Sequence, residues 1–423
     1  MNNWRVGAIA CAIGGGLFAA ISVFPAPARA LTQQQIDWCV NKGSRFDLDM
    51  QISGCTASIQ SGRWSGKGLA WAYTDRCIGY KDKGEYDRAI TDCNQALDLD
   101  PRDAFAWNAR GAAYHLKHDY DRAISEYSRA IQVNPKFTEA FHNRGMVYAA
   151  KGDLDTAIAD YSRAIALDPN DAVAFNGRGN VYKDRKDYDR AIADYSDAIR
   201  SDPKNTYYFN RGITYRLQQQ YDRAIADFNE AIRLDPKDAS SYNSRGNVYR
   251  DQKDLDHAVA DYNAAIRLNP NSALYHNNRG YAYEDKKDYD TAVADFSEAI
   301  RLEPDNGGYH NSRCWARAVA GHNLQEALAD CTESLRLQPD DPNTFNSRGL
   351  VQLKLGAFDQ AIADYSAAVA KNAKDADSLY GRGLAKLKKG DGDSGKADIA
   401  AAKAIRPDIA ETYTGYGLSE PPG

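Results

Sequence analysis

Residues 104–137 read AFAWNARGAAYHLKHDYDRAISEYSRAIQVNPKF, and the pattern inside them recurs from about Ala70 to about Ile409. With Ala104 as position 1 of a 34-residue unit, Gly111 stands at position 8, Tyr114 at 11, Ala123 at 20, Tyr127 at 24, Ala130 at 27 and Pro135 at 32. Position 8 returns as Cys77, Gly145, Gly179, Gly212, Gly246, Gly280, Cys314, Gly349 and Gly383, and position 20 returns as Ala or, once, as Gly395. Ten units follow one another, starting near residues 70, 104, 138, 172, 205, 239, 273, 307, 342 and 376. A period of this length marks a supersecondary unit that buries its apolar face only by stacking on the next.

Each unit reads as two amphipathic helices. Helix A is expected from about position 2 to position 14, as in Phe105 to Lys117. Helix B carries Ala123, Ile124, Tyr127, Ala130 and Ile131, the i, i+3/i+4 spacing of a buried stripe. Asp119, Asp153 and Asp187 stand where a side chain caps the start of helix B. Proline near position 32 stops helix B and marks the turn to the next unit. The set of aromatic, Gly, Tyr, Ala, aromatic, Ala and Pro at these offsets resembles the tetratricopeptide repeat (TPR) over about 340 of 423 residues. The resemblance implies an all-α fold: a right-handed superhelical solenoid of antiparallel helix hairpins, with a concave groove that binds a partner.

Several units depart from the pattern. Between Pro203 and Gly212 the turn joining two units is one residue shorter than its counterparts, and between Cys314 and Ala327 the turn inside a unit is one residue longer. In the last three units position 11 is Arg317, Gln352 and Lys386, and Ala373 replaces Pro, so the C-terminal third reads as a looser version. Residues 410–423 are expected to add a short final helix with a frayed tail from Ser419. Position 7, usually Leu in the TPR family, is Arg in all ten units, from Arg76 to Arg382, and position 23 is acidic in all ten, from Asp92 to Asp398. A partly buried Arg needs a carboxylate, so the two sets are expected to form structural ion pairs. The rival is an arginine ladder gripping an anionic polymer.

The first thirty residues differ in kind. Met1 to Ala30 has no acid, an early Arg5, an apolar run from Val6 to Phe24 and Ala28-Arg29-Ala30 before Leu31. This is expected to be a cleaved export signal, which puts the protein in the periplasm or outside the cell; an uncleaved anchor is the alternative. Cleavage takes the net charge from −5 to −7 and leaves no stretch of membrane-spanning length. Mild acidity without a basic block argues against nucleic acid as the ligand.

Six Cys remain: Cys39, Cys55, Cys77, Cys93, Cys314 and Cys331. An even count in an oxidising compartment favours disulfides. The two units that lack Gly at position 8 carry Cys77 and Cys314, and the same two carry Cys93 and Cys331 where the others have Tyr or Phe. A Gly facing a ring, replaced twice by Cys facing Cys, is what a bridge between closely packed helices requires. The alternative is buried thiols. Cys39 and Cys55 have the same separation as Cys77 and Cys93, so residues 31–69 are expected to be a degenerate capping hairpin stapled by a third bridge. No Cys-x-x-Cys is present, which argues against zinc.

Catalytic constellations are absent. The seven His are scattered over several positions with no fixed nucleophile beside them, and the stretch Asp391 to Gly395 fails as a calcium loop because its twelfth residue is Ala402. No enzyme, cofactor or metal site is therefore expected. In the TPR family the groove is lined by helix A. Here positions 5 and 6 are rich in amides: Asn108, Asn143, Asn176, Asn210, Asn243, Asn277, Asn278, Asn311 and Asn346. Position 9 adds Asn180, Asn247, Tyr281 and Trp315, and position 12 adds Lys81, Lys183, Arg216 and Arg250. An amide both donates and accepts, so such a row suits the backbone of an extended peptide whatever its sequence. The bland alternative is that these Asn are solvated or bonded locally. No position-5 residue is Lys, so the clamp for a chaperone carboxylate is not supported. The expectation is an exported, non-catalytic scaffold for a protein or peptide. A polysaccharide-binding or polysaccharide-export component, stacking sugars on Tyr281 and Trp315, is the second choice.

Overall fold

The computed structural model describes residues 31–421. The export signal expected at residues 1–30 lies outside the described residues. Every regular element among the described residues is helical. Helices Gln33–Val40 and Leu48–Gln60 form a first hairpin, ten more hairpins follow, and Ile409–Gly415 closes the series. Helix A begins at position 1 rather than 2, as in Ala104–Leu116, and helix B follows it, as in Tyr120–Val133. Both starts are capped. Asp119, Asp153 and Asp187 accept from backbone N–H groups in the first turn of helix B. Sequence reasoning missed the matching acids before helix A: Asp103, Asp171, Asp238, Asp341 and Asp375 do the same there.

The chain separates into two compact units, one ending at Asp202 and the other starting at Pro203. The division falls on the shortened turn between Tyr188–Ser201 and Asn205–Leu217. Within each unit successive A helices pack on one another, as Ala70–Asp82 does on Ala104–Leu116 and Gly307–Ala320 on Pro342–Leu355, whereas successive B helices scarcely touch. Helix A therefore lines the inner side of each stack.

The hairpins close around position 8. A Cβ built on Gly246 would lie 2.9 Å from the Tyr262 ring, and one on Gly280 would lie 2.7 Å from Phe296. Only a residue without a side chain lets the ring lie flat on helix A. Those rings, with Tyr127, Tyr195, Phe228 and Tyr365, are almost fully buried. Each takes roughly 150–250 Å² out of water, or about 4–6 kcal/mol of gross hydrophobic stabilisation. Where Gly is missing the structure holds disulfides, Cys77–Cys93 and Cys314–Cys331, and a third joins Cys39 to Cys55 in the capping hairpin. These are the partners named by the register.

The looser sequence pattern of the C-terminal third leaves two of its position-11 groups, Arg317 Nε and Gln352 Oε1, buried and unpartnered among the described residues, yet its core is continuous. Among the described residues one buried cluster runs from Cys314 through Leu350, Tyr365, Leu384 and Ile399 to Leu418. The tail expected to fray from Ser419 is tied down at Glu420. Tyr413 donates to the Asp377 carbonyl at 2.8 Å, and Glu420 accepts from Lys403 at 2.7 Å and from Tyr380 at 3.1 Å.

Candidate functional site

The arginines of position 7 are the most regular polar feature of helix A. Arg144 Nε and Nη2 each reach Asp160 at 2.8 Å, and Arg178 reaches Asp194 at 2.9 and 2.8 Å. The same fork joins Arg76–Asp92, Arg211–Asp227, Arg245–Asp261, Arg279–Asp295, Arg313–Asp330, Arg348–Asp364 and Arg382–Asp398, while Arg110 binds Glu126. The carboxylates are buried and the guanidiniums mostly so. Burial works against the charge of Arg211 and Arg76, but the carboxylates hold both guanidiniums above their ordinary range. The remaining nitrogen does something the sequence did not announce. Nη1 crosses to position 25 of the preceding hairpin: Arg76 to Thr56 at 3.1 Å, Arg144 to Ser128 at 2.9 Å, Arg279 to Asn263 at 2.5 Å, Arg313 to Ser297 at 3.1 Å. These guanidiniums are thus occupied on both sides, with little left for an anionic polymer. Arg317 and Lys386, at position 11, bring a second cation to Asp330 and Asp398.

The amides of positions 5 and 6 lie on helix A, but many are engaged with one another. Asn143 donates to Asn108 at 3.1 Å, and Asn108 donates to Glu139 at 2.9 Å. Asn278 donates to Asn243 at 2.9 Å, and Asn346 to Ser378 at 2.8 Å. Asn176 and Asn210 are not free either. At position 9, Asn180 and Asn247 accept from the Tyr195 and Tyr262 hydroxyls. The position-12 bases are paired too: Lys81 with Asp82, Arg216 with Asp251 and Arg250 with Asp285. Lys183 is half-buried on the same face. Most of the amide row is therefore a set of rungs between hairpins.

Four of the sequence-derived residues do come together. Tyr281, Asn311, Trp315 and Asn346 line one cavity of about 480 Å³ in the C-terminal unit, within the usual size range of ligand sites. Glu284, Asn343, Asp377, Arg406 and Tyr416 complete its wall. Tyr416 comes from beyond the last helix and meets Trp315 edge to face, with ring centres 5.6 Å apart. Sequence reading missed Arg406 and Tyr416, which reach Trp315 only through the return of the tail, and Glu284, which stands at position 12 of the preceding hairpin. Asn277 is buried with its Oδ1 unpartnered and does not line this cavity. Among the described residues no cluster of His, Cys, Asp or Glu is suited to a metal ion, and no helix is long and apolar enough to cross a membrane.

Family models described as TPR repeat match residues 80–118, 145–184 and 246–287. Others described as tetratricopeptide repeat match 104–137, 126–159, 176–239, 273–306 and 346–408. The chain is a tetratricopeptide repeat protein. No curated protein matches this TPR chain. Among solved structures it is similar to a chain of the APC/C hetero-tetramer Cut9–Hcn1, at 14% identity over 93% of this chain and 96% of that one, with a TM-score of 0.50. It is also similar to YrrB, described as a TPR protein with an unusual peptide-binding site, at 24% identity over 42% of this chain and 93% of that one, with a TM-score of 0.37. MamA matches at 27% identity over 41% and 94%, with a TM-score of 0.37. The first likeness shows the TPR fold and nothing finer. TPR families are, in general, non-catalytic protein-interaction scaffolds.

Proposed function

We propose that this TPR protein is an exported, non-catalytic scaffold that holds an extended segment of a partner protein on the inner face of its A helices. The cavity between Tyr281 and Asn346 carries this reading, since there aromatic and amide side chains of three successive hairpins converge on one open space. The three disulfides support an oxidising compartment. Asn311 keeps a buried Oδ1 without a partner among the described residues, so a peptide N–H would complete it. A neutral hydrogen bond contributes about 1 kcal/mol, so Asn311→Ala combined with Asn346→Ala should weaken a captured peptide by roughly thirtyfold. Affinity would be measured on partners recovered by crosslinking and mass spectrometry in the native envelope. Unchanged binding by the double variant moves the site elsewhere. A polysaccharide ligand is the second reading, favoured by the Tyr281, Trp315 and Tyr416 rings in one wall. Peptide and glycan arrays probed with residues 31–423 separate the two.

A further inference from the structure

The same cavity has a chemical bias that a generic backbone-binding groove lacks. Two of its lining groups, Glu284 Oε2 and Asn311 Oδ1, are buried acceptors with no hydrogen-bond partner among the described residues. A buried acceptor left unmade is unfavourable and calls for a donor. The cations nearby are already committed. Arg250 is held by Asp285 at 2.7 Å, with its guanidinium 5.0 Å from the Tyr281 ring centre. Arg406 forks onto Asp377 at 2.7 and 3.0 Å, and its one unpartnered nitrogen, Nε, lies 4.0 Å from Asp408. An anionic ligand would meet paired arginines and a carboxyl whose Oε2 has no donor among the described residues. A cation would meet unpartnered acceptors in a wall that also holds the rings of Tyr281, Trp315 and Tyr416, and aromatic faces attract cations.

We propose that this cavity receives a lysine or arginine side chain, so that the scaffold selects segments carrying a positive charge at that point. The proposal rests on the peptide-binding reading given above and adds the class of side chain recognised. The state of Glu284 agrees with it. Burial pushes its carboxyl up to about 7 and Asp285 adds to this, while Arg250 and the Trp315 indole N–H offset only part. Tyr289 and Tyr416 also face it, and both remain neutral over the same range because burial raises them further. A ligand cation would ionise the carboxyl and release its proton.

The test uses the chain of residues 31–423 and four small probes: the N-acetyl methylamides of lysine and arginine, and those of their neutral counterparts norleucine and citrulline. Titration calorimetry should show saturable binding of the cationic pair at pH 8, about tenfold or more tighter than the neutral pair. Binding should weaken by about tenfold or more at pH 5.5, where Glu284 is protonated. At pH 7 the observed heat should depend on the ionisation enthalpy of the buffer, because binding expels a proton. Glu284→Gln, which replaces a half-protonated carboxyl by its neutral isostere, should leave the fold at least as stable at pH 7 and abolish the cation preference. Trp315→Leu should weaken the cationic probes independently. Equal binding of lysine and norleucine probes, or no saturable binding, overturns the proposal. If the cationic probes bind while no peptide does, the scaffold reading falls and the cation pocket stands. If peptides bind equally well after Lys and Arg are replaced by norleucine and citrulline, the scaffold reading stands and the pocket falls.

Discussion

Arg178 and Asp194 show what the position-7 to position-23 pair does for one hairpin. Two charge-assisted hydrogen bonds tie helix A to helix B, with the carboxylate side chain only 7% exposed and the guanidinium side chain 20%. Removing one partner strands a buried charge. Asp194→Ala should therefore lower stability by about 3–5 kcal/mol, whereas a double change to well-packed apolar residues, Arg178→Met with Asp194→Leu, should be close to neutral. Urea unfolding of the three chains checks this, and an unchanged midpoint for Asp194→Ala would remove the structural role. The pair was legible in the sequence because ten internal copies vary together. The third contact, from Nη1 to position 25, was not. Its acceptors are Thr56, Asn94, Ser128 and Asn263, residues of different name that share only an oxygen lone pair. The pocket carboxylate Glu284 was equally hidden, since position 12 is basic in the two preceding hairpins.

At the scale of the hairpin, Gly facing a ring and Cys facing Cys are alternative solutions to one packing problem. The Cys314–Cys331 Cα atoms are 5.5 Å apart, close enough that no bulky side chain fits at position 8. Each bridge closes a loop short enough to add roughly 3 kcal/mol by the chain-entropy estimate. Replacing Cys314 and Cys331 by Ala should lose about that much or more, because two small side chains also leave a void. Replacing them by Gly and Tyr, the pair used by neighbouring hairpins, should recover roughly 2 kcal/mol of the loss through ring burial. Urea midpoints of the three chains decide the matter; equal losses would mean that the bridge does more than fill space. Element boundaries and bridge partners were readable from periodicity alone. The fate of the amides was not, because whether Asn143 meets Asn108 depends on how far one hairpin slides against the next. No single unit contains that offset.

At the scale of the whole molecule, the response to pH near neutrality comes mainly from two buried carboxyls outside the periodic pairs, and burial also raises the paired Glu126 and Asp227. Burial raises Asp75 to about 7, with Asp103 adding to it, and Glu284 rises to about 7 as well. Between pH 4 and pH 7 the folded chain holds protons on these two that the unfolded chain has released, so their contribution falls as pH rises through that window. His115, whose charged form burial disfavours, acts in the opposite direction below about pH 6.5, against Asp75, Glu284 and the burial-raised Glu126 and Asp227. The urea midpoint should thus be lower at pH 7.5 than at pH 5.5, and Asp75→Asn with Glu284→Gln should flatten the difference. A wild-type midpoint that climbs between those values would refute the assignment. Below about pH 4 the trend reverses. Asp398 is disfavoured as an anion by burial, but Arg382 and Lys386 more than compensate and hold it below its ordinary range, so that its contribution is lost as acid protonates it.

The bonds from Nη1 to position 25 have a consequence for how such an array lengthens or shortens over generations. Each guanidinium that reaches back leans on the hairpin before it, and each hydroxyl or amide at position 25 serves the one after. Duplicating or excising a segment of one full period leaves every such arginine with an acceptor, while any other length strands one. In the tenth unit position 25 is Ala400, which offers no side-chain acceptor, so a unit stacked after it would leave its own position-7 arginine without this contact.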